Sequence, residues 1–254
     1  MQTHSPPLLW LEPGEAFPPA DNAWGERSDA PGLLAAGGGL DCSTLCMAYA
    51  SGIFPWFSEG QPILWWSPNP RMVLPVANFR LHRSLRKTLT RFRDNPQCEI
   101  RFDTAFPEVM ASCAYAQRKG QPGTWIVPAM ERAYEDLFKA GYAHSVETWI
   151  NGQLVGGLYC VGLGHAVFGE SMFTRAPDAS KIALAALVAF CREKSINLID
   201  CQQNTQHLAS LGAVEIGREA FIAGVRAARE FPKPTWQFSP LYWQHLLSPL
   251  HTHP

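Results

Sequence analysis

Asp200 and Gln202 stand close together at the end of "INLIDCQQN", a segment that starts apolar and is fit to pair inside a sheet. Strand side chains alternate between faces, so the acid and the amide point one way, and Ile199 and Cys201 the other. A carboxylate in a central strand is costly unless something pairs with it. Two arrangements meet that cost. Either the fold supplies a buried cation, or the open end of the strand lies in a cleft where a substrate completes the pair. A second carboxylate, Glu170 in "FGESMF", is also flanked by apolar residues. Gly169 before it lets a backbone come close, and its structural alternative is to partner an arginine in the core.

The sequence offers little to other chemistries. His144, His165 and His207 are isolated, with no cysteine or carboxylate at metal-ligand spacing. The seven cysteines are scattered rather than set as CxxC knuckles, which suits reduced thiols. Cys201 faces away from Asp200, and "GESMF" is not a GxSxG elbow. The triple glycine of "GLLAAGGGLDC" fits neither phosphate-loop pattern; it reads as a tight turn into a helix capped by Asp41 or Ser43 and stopped by Gly52.

The elements that must position these residues are legible in outline. With 254 residues and 46% hydrophobic content the chain can bury a sizeable core. "GIFPWFSEGQPILWWSPNPRMVL" is an aromatic loop stiffened by prolines, with a short strand at "ILWW". Such a loop can be a mini-core or a stacking platform for a nucleobase. From Phe79 to Arg93, Leu81, Leu85, Leu89 and Phe92 form one helical stripe. Arg80, Arg83, Arg86, Lys87, Arg91 and Arg93 cover the remainder without an acid, a one-sign face suited to phosphates. The overall balance, 21 basic against 22 acidic residues, excludes a globally basic nucleic-acid binder, so this local patch carries the argument. Further on, "MERAYEDLFKAG" reads as a helix and Asn151-Gly152 as a hairpin turn between strands. "DASKIALAALVAFCREKS" reads as a helix with Asp178 as N-cap, followed by the strand holding Asp200. Hairpin, strand, helix, strand is an α/β (α+β) pattern with a mixed sheet. The aromatic tail after Arg229 is expected to pack, with its last residues frayed.

The first residues carry no basic leader, and "IALAALVAFC" is about half of what a bilayer span takes. A soluble, cytoplasmic protein is expected, with no membrane partner.

The blocks "GIFPWFSEGQPILWWSPNPR", "GTWIVPAMERAYEDLFKAGYAHSVETW", "LVGGLYCV", "FGESMFTRAPDASKIAL", "LIDCQ" and "ASLGAVEI" occur in this order. In these blocks the sequence closely resembles the bacterial leucyl/phenylalanyl-tRNA-protein transferases. The resemblance implies a small N-terminal domain, placed at 1–70, and a larger acetyltransferase-like (GNAT-like) mixed-sheet domain, placed at 71–254. It implies transfer of Leu, Phe or Met from aminoacyl-tRNA onto an N-terminal Arg or Lys of a protein, which marks that protein for N-degron degradation, with no metal and no cofactor. It maps the donor side-chain pocket onto Leu158, Val167, Phe168, Met172, Leu184, Leu187 and Ile199. It places the terminal adenosine against Trp56 and Trp125, with Tyr49 and Tyr134 as further candidates.

An aminoacyl ester is already activated, so the enzyme must hold two substrates in line and manage one proton. Asp200, with Gln202 between it and the nucleophile, is expected to assist deprotonation of the acceptor amine, or else to bind the basic terminus while the tRNA ribose shuttles the proton. Glu170 is expected to grip the donor α-amino group or the incoming Arg or Lys. Two rivals stand beside this reading. An acyl-CoA-dependent N-acetyltransferase would need a glycine-rich turn where "TRAPDASK" stands. A non-catalytic tRNA-binding module would leave Glu170, Asp200 and Gln202 without a role.

Overall fold

The computed structural model describes residues 6–115 and 126–247. The chain begins with strands β1 (Leu9–Leu11) and β2 (Leu33–Gly37), helix α1 (Cys42–Ala50), and strands β3 (Phe54–Pro55) and β4 (Leu64–Trp66), which form a four-stranded sheet in the order β1-β2-β4-β3. Helix α1 starts where a cap was expected: the Asp41 carboxylate accepts from the Thr44 N–H at 3.0 Å.

The next strand, β5 (Arg71–Pro75), enters a second sheet. Helix α2 (Arg83–Arg93), β6 (Cys98–Phe102), α3 (Phe106–Ala114) and α4 (Pro128–Lys139) follow. Then come the long strands β7 (Ala143–Ile150), β8 (Gln153–Leu163) and β9 (Ala166–Thr174), joined at the first hairpin by Asn151 and Gly152, both with positive φ. Helix α5 (Ala179–Glu193) leads to β10 (Leu198–Gln202), α6 (Gln206–Ser210), β11 (Val214–Ile216), α7 (Arg218–Arg229) and α8 (Gln244–Leu247). The seven strands lie in the order β11-β5-β10-β9-β8-β7-β6. Among the described strands of this sheet only β9 and β10 pair in parallel, because α5 crosses over between them.

The alternation of strand side chains divides the core into two clusters. Leu158, Val146 and Ile199 face α5, α2 and the tail residues Trp243 and Leu246. Tyr159, Val161 and Phe168 face α1, α3, α4 and the small sheet. Gly156 is required for the first of these layers: a Cβ there would sit 2.4 Å from Cβ of Ala179, so only glycine lets the start of α5 lie on β8. Asp178 departs from its expected capping role. It adopts a left-handed conformation (φ 61°) with no capping bond, and its carboxylate pairs with Lys181 at 2.7 Å instead.

Helix α2 begins later than the sequence pattern suggested, with His82 at its N-cap, and buries Leu85, Leu89 and Phe92 as expected. The tail packs as expected too: Trp236 stacks on His144 at 4.0 Å, and the His144 ring bonds Asp103 through Nδ1 at 2.8 Å. Among the described residues, no helix is long and apolar enough to cross a membrane.

Candidate active site

Strands β9 and β10 pair in parallel at Val167 with Ile199 and at Phe168 with Asp200. Beyond that point the residues Gly169–Met172 of one strand and Cys201–Gln203 after the other line one cavity of about 760 Å³. An irregularity in each strand opens this fork. In β9, Gly169 faces Cys160 and Ser171 faces Tyr159, which leaves Glu170 as the extra residue of a β-bulge. In β10 the register with β5 shifts between Asp200 and Gln202, and Gln202 takes a left-handed conformation (φ 61°). Both polar side chains thus come from bulged positions, which re-aim side chains at sites where a sheet stops pairing.

Glu170 is the hub of the cavity's polar wall. Its Oε1 accepts from Tyr49 Oη at 2.8 Å and from Gln202 Nε2 at 2.9 Å, and its Oε2 from Tyr134 Oη at 3.3 Å. The two tyrosine hydroxyls also bond each other. Burial pushes the Glu170 carboxyl up to about 7, helped by the charge of Asp200 and opposed by its three hydrogen bonds. Burial, with the charge of Glu170 behind it, holds both phenols well above their usual range, so they stay donors.

Asp200 corrects the expectation of an open acid. Its carboxylate is buried against Arg71, which donates from Nε to Oδ1 at 2.8 Å and from Nη2 to Oδ2 at 2.6 Å. The Gln202 N–H adds a bond to Oδ1 at 2.9 Å. A guanidinium fork and a backbone amide meet the cost of this buried carboxylate, so the fold supplies the buried cation, and Asp200 stands in the cavity lining as well. Arg71 is the residue the sequence reading passed over. Its signal was an arginine beside the apolar "MVL" in a strand, a charge that needs a buried acid.

The other expected residues divide clearly. Leu158, Met172, Leu184, Leu187 and Ile199 line the apolar part of the cavity. Val167 and Phe168 are not part of its wall among the described residues. Val167 packs with Ile199 in the core on the α5 side, and Phe168 turns to the opposite face onto the Tyr49 ring, 5.0 Å away. Tyr49 and Tyr134 are completely buried and hold Glu170, so neither ring is open to a base. Trp56 lines the cavity, with its backbone carbonyl accepting from Trp66 Nε1 at 2.7 Å. Trp65 is completely buried, in keeping with a packing role. Trp125 lies outside the described residues. His207, read from sequence as an isolated histidine, lines the cavity too, and burial with the nearby Lys181 charge lowers its pKa. Burial raises the Cys201 thiol, so it stays protonated.

The basic helix keeps most of its cations free. Arg80, Arg83, Lys87 and Arg91 are exposed, and the last three repeat every fourth residue along one face. Arg86 differs: its Nη1 donates to the Leu246 carbonyl at 3.0 Å, which makes it an anchor for the tail. Arg93 pairs with Asp94 at 2.7 Å, an acid just past the segment.

A family model described as "Leucyl/phenylalanyl-tRNA protein transferase" matches residues 73–226, and one described as the N-terminal domain of the same transferase matches residues 38–69. The chain is 61% identical over 249 residues to the leucyl/phenylalanyl-tRNA–protein transferase of Albidiferax ferrireducens, covering 98% of each chain. It is 62% identical over 242 residues to that of a Polaromonas species, covering 95% of each. With that of Leptothrix cholodnii it shares 57% over 231 residues, covering 91% of this chain and 90% of the relative. Among solved structures it is similar to L-PGS from Bacillus licheniformis at 14% identity and a TM-score of 0.40, over 77% of this chain and 63% of that one.

Proposed function

Since the chain belongs to the leucyl/phenylalanyl-tRNA protein transferase family, we propose that it moves Leu, Phe or Met from the 3′ ester of aminoacyl-tRNA to the α-amino group of an N-terminal Arg or Lys. The observation that carries this reading is the fork between β9 and β10, an apolar cavity closed at one side by the Glu170 carboxylate, with the Gln202 amide on it. The donor side chain lies among Leu158, Met172, Leu184, Leu187 and Ile199. These straight and branched apolar groups with a pliable methionine accept Leu, Phe and Met alike.

The acceptor nitrogen attacks the ester carbonyl. The ammonium first gives one proton to the cavity carboxylate, which passes it to solvent; the free amine then attacks, a C–N bond forms, the C–O bond to the ribose breaks, and the ribose oxygen takes the second proton from the attacking nitrogen. The acceptor α-amine has a pKa near about 8, so roughly a tenth is free base at neutral pH. Glu170 is placed to hold the ammonium and take its first proton, with Gln202 orienting it; Asp200, also in the cavity lining, is held behind them by Arg71. No metal or cofactor enters this chemistry. Residues 1–70 act as the small N-terminal domain and 71–254 as the catalytic one, in a cytoplasmic protein.

The test is direct: charged tRNA and a reporter peptide beginning with Arg are mixed with the protein, and the peptide is expected to gain the mass of one Leu or Phe. RNA binding without transfer would favour a non-catalytic module.

Trp56 supplies a stacking face for the terminal adenine. A base on an aromatic ring is worth about 1 to 3 kcal/mol, so Trp56→Ala is expected to raise the KM for aminoacyl-tRNA roughly 5- to 150-fold with kcat little changed. An unaltered KM would take Trp56 out of the site.

The tRNA body lies along α2. Each phosphate contact contributes about 0.7 to 0.9 to the slope of log K against log salt. Lys87→Ala with Arg91→Ala is therefore expected to flatten that slope by about 1.5, measured by titration in increasing salt. Arg93→Ala, whose charge Asp94 already meets, is expected to leave it nearly unchanged.

A further inference from the structure

We propose that Arg71 is a positioning residue for this transfer: through Asp200 it fixes the turn that aims Gln202 at Glu170, and it ties the Trp56-bearing wall of the cavity to the same point. The role rests on the transferase reading and adds a residue to it.

Every direction around the Arg71 guanidinium is filled. Nε and Nη2 hold Asp200, and Nη1 donates to the Gly52 carbonyl at 3.2 Å. The Phe54 and Phe221 rings cover it at 4.7 and 4.6 Å. The side chain is completely buried. It therefore joins β5 and β10 of the large sheet, the turn into β3, and α7. Phe54, Pro55 and Trp56, which follow that turn, form one wall of the cavity.

Gln202 is a non-glycine residue at φ 61°, a conformation that persists only when its surroundings determine it. The bond from its N–H to Asp200 Oδ1 is one such determinant, and it exists because Arg71 holds the carboxylate still. The amide then reaches Glu170. A buried ion pair is often no more stable than apolar residues of the same size. Stability alone does not call for this pair, whereas a fixed oxygen acceptor for the Gln202 N–H gives it a use.

A ladder of variants tests this. Arg71→Met with Asp200→Leu replaces the pair by apolar groups and removes the acceptor. It is expected to fold, with kcat down about 30-fold at saturating substrates and the KM for aminoacyl-tRNA within about threefold of wild type. Arg71→Met with Asp200→Asn restores an oxygen for the Gln202 N–H without a charge, and is expected to recover at least about tenfold of that loss. Arg71→Lys, which keeps the charge but not the fork, is expected to fold and to lower kcat about tenfold.

The role is overturned if the Asn variant is no faster than the Leu variant, which would make the carboxylate itself the reacting group, or if the Leu or Lys variant turns over at the wild-type rate. Should neither double variant fold, the kcat and KM of Arg71→Lys decide alone. Transfer by the wild-type protein is measured first; its absence overturns the transferase reading itself, whereas wild-type transfer with a failed ladder removes only Arg71.

Discussion

Glu170→Gln is expected to lower kcat/KM for transfer by about 10²-fold or more, and to lack the fall in rate that is expected of the wild-type protein as pH drops through about 7. The variant keeps the size of the side chain and an acceptor for Tyr49, but it has no charge to hold the ammonium. Its remaining pH dependence should be that of the acceptor amine, near about 8. A pH–rate profile on both proteins checks this, and an unchanged limb near 7 in the variant would remove Glu170 from proton handling.

The same shift has a stability counterpart, whose sign follows from linkage. The folded carboxyl is raised from 4.5 to about 7. Below 4.5 it is protonated in both the folded and the unfolded chain and contributes nothing. Between 4.5 and 7 the unfolded chain ionises first, so folding loses free energy as pH rises, and above 7 the full penalty of about 3 kcal/mol remains. Glu170→Gln should therefore gain stability relative to wild type between pH 4.5 and 8.

Asp200→Ala is expected to cost about 3 to 5 kcal/mol of folding stability, because it leaves the completely buried Arg71 without its counter-charge. A denaturant midpoint against wild type measures it. Replacing both partners by Met and Leu should return most of that loss. A cost below about 1 kcal/mol for the single variant would mean that water or another acid reaches the guanidinium. Loss of activity in Asp200→Ala alone does not make Asp200 a base, since the scaffold beneath Gln202 goes with it.

Asp200 shows where reading strand alternation stops. Alternation correctly separates Asp200 from Ile199 and Cys201, which pack toward α5. It says nothing of the bulges, each created by one extra residue whose register depends on the neighbouring strand. Glu170 and Gln202 meet because two strands part, not because of any spacing within either. Likewise, Phe168 and Val167 are apolar residues of a pocket-bearing strand that lie outside the cavity wall, Phe168 because it turns to the opposite face onto Tyr49.

By itself the sequence determined the local elements and the family. The Asp41 cap, the Asn151-Gly152 hairpin, the α5 helix and the basic face of α2 all arise from residues within a turn or two of each other, and such short-range preferences survive in any fold that uses them. The quoted blocks placed the family because they are long and complex. What only the tertiary structure decided was the company each polar group keeps. Arg71 and Asp200 lie 129 residues apart, and Tyr49 reaches Glu170 across 121. Whether a carboxylate is free, paired or half-neutral is set by the charges and dipoles within a few ångströms of it, and chain folding, not sequence distance, chooses those.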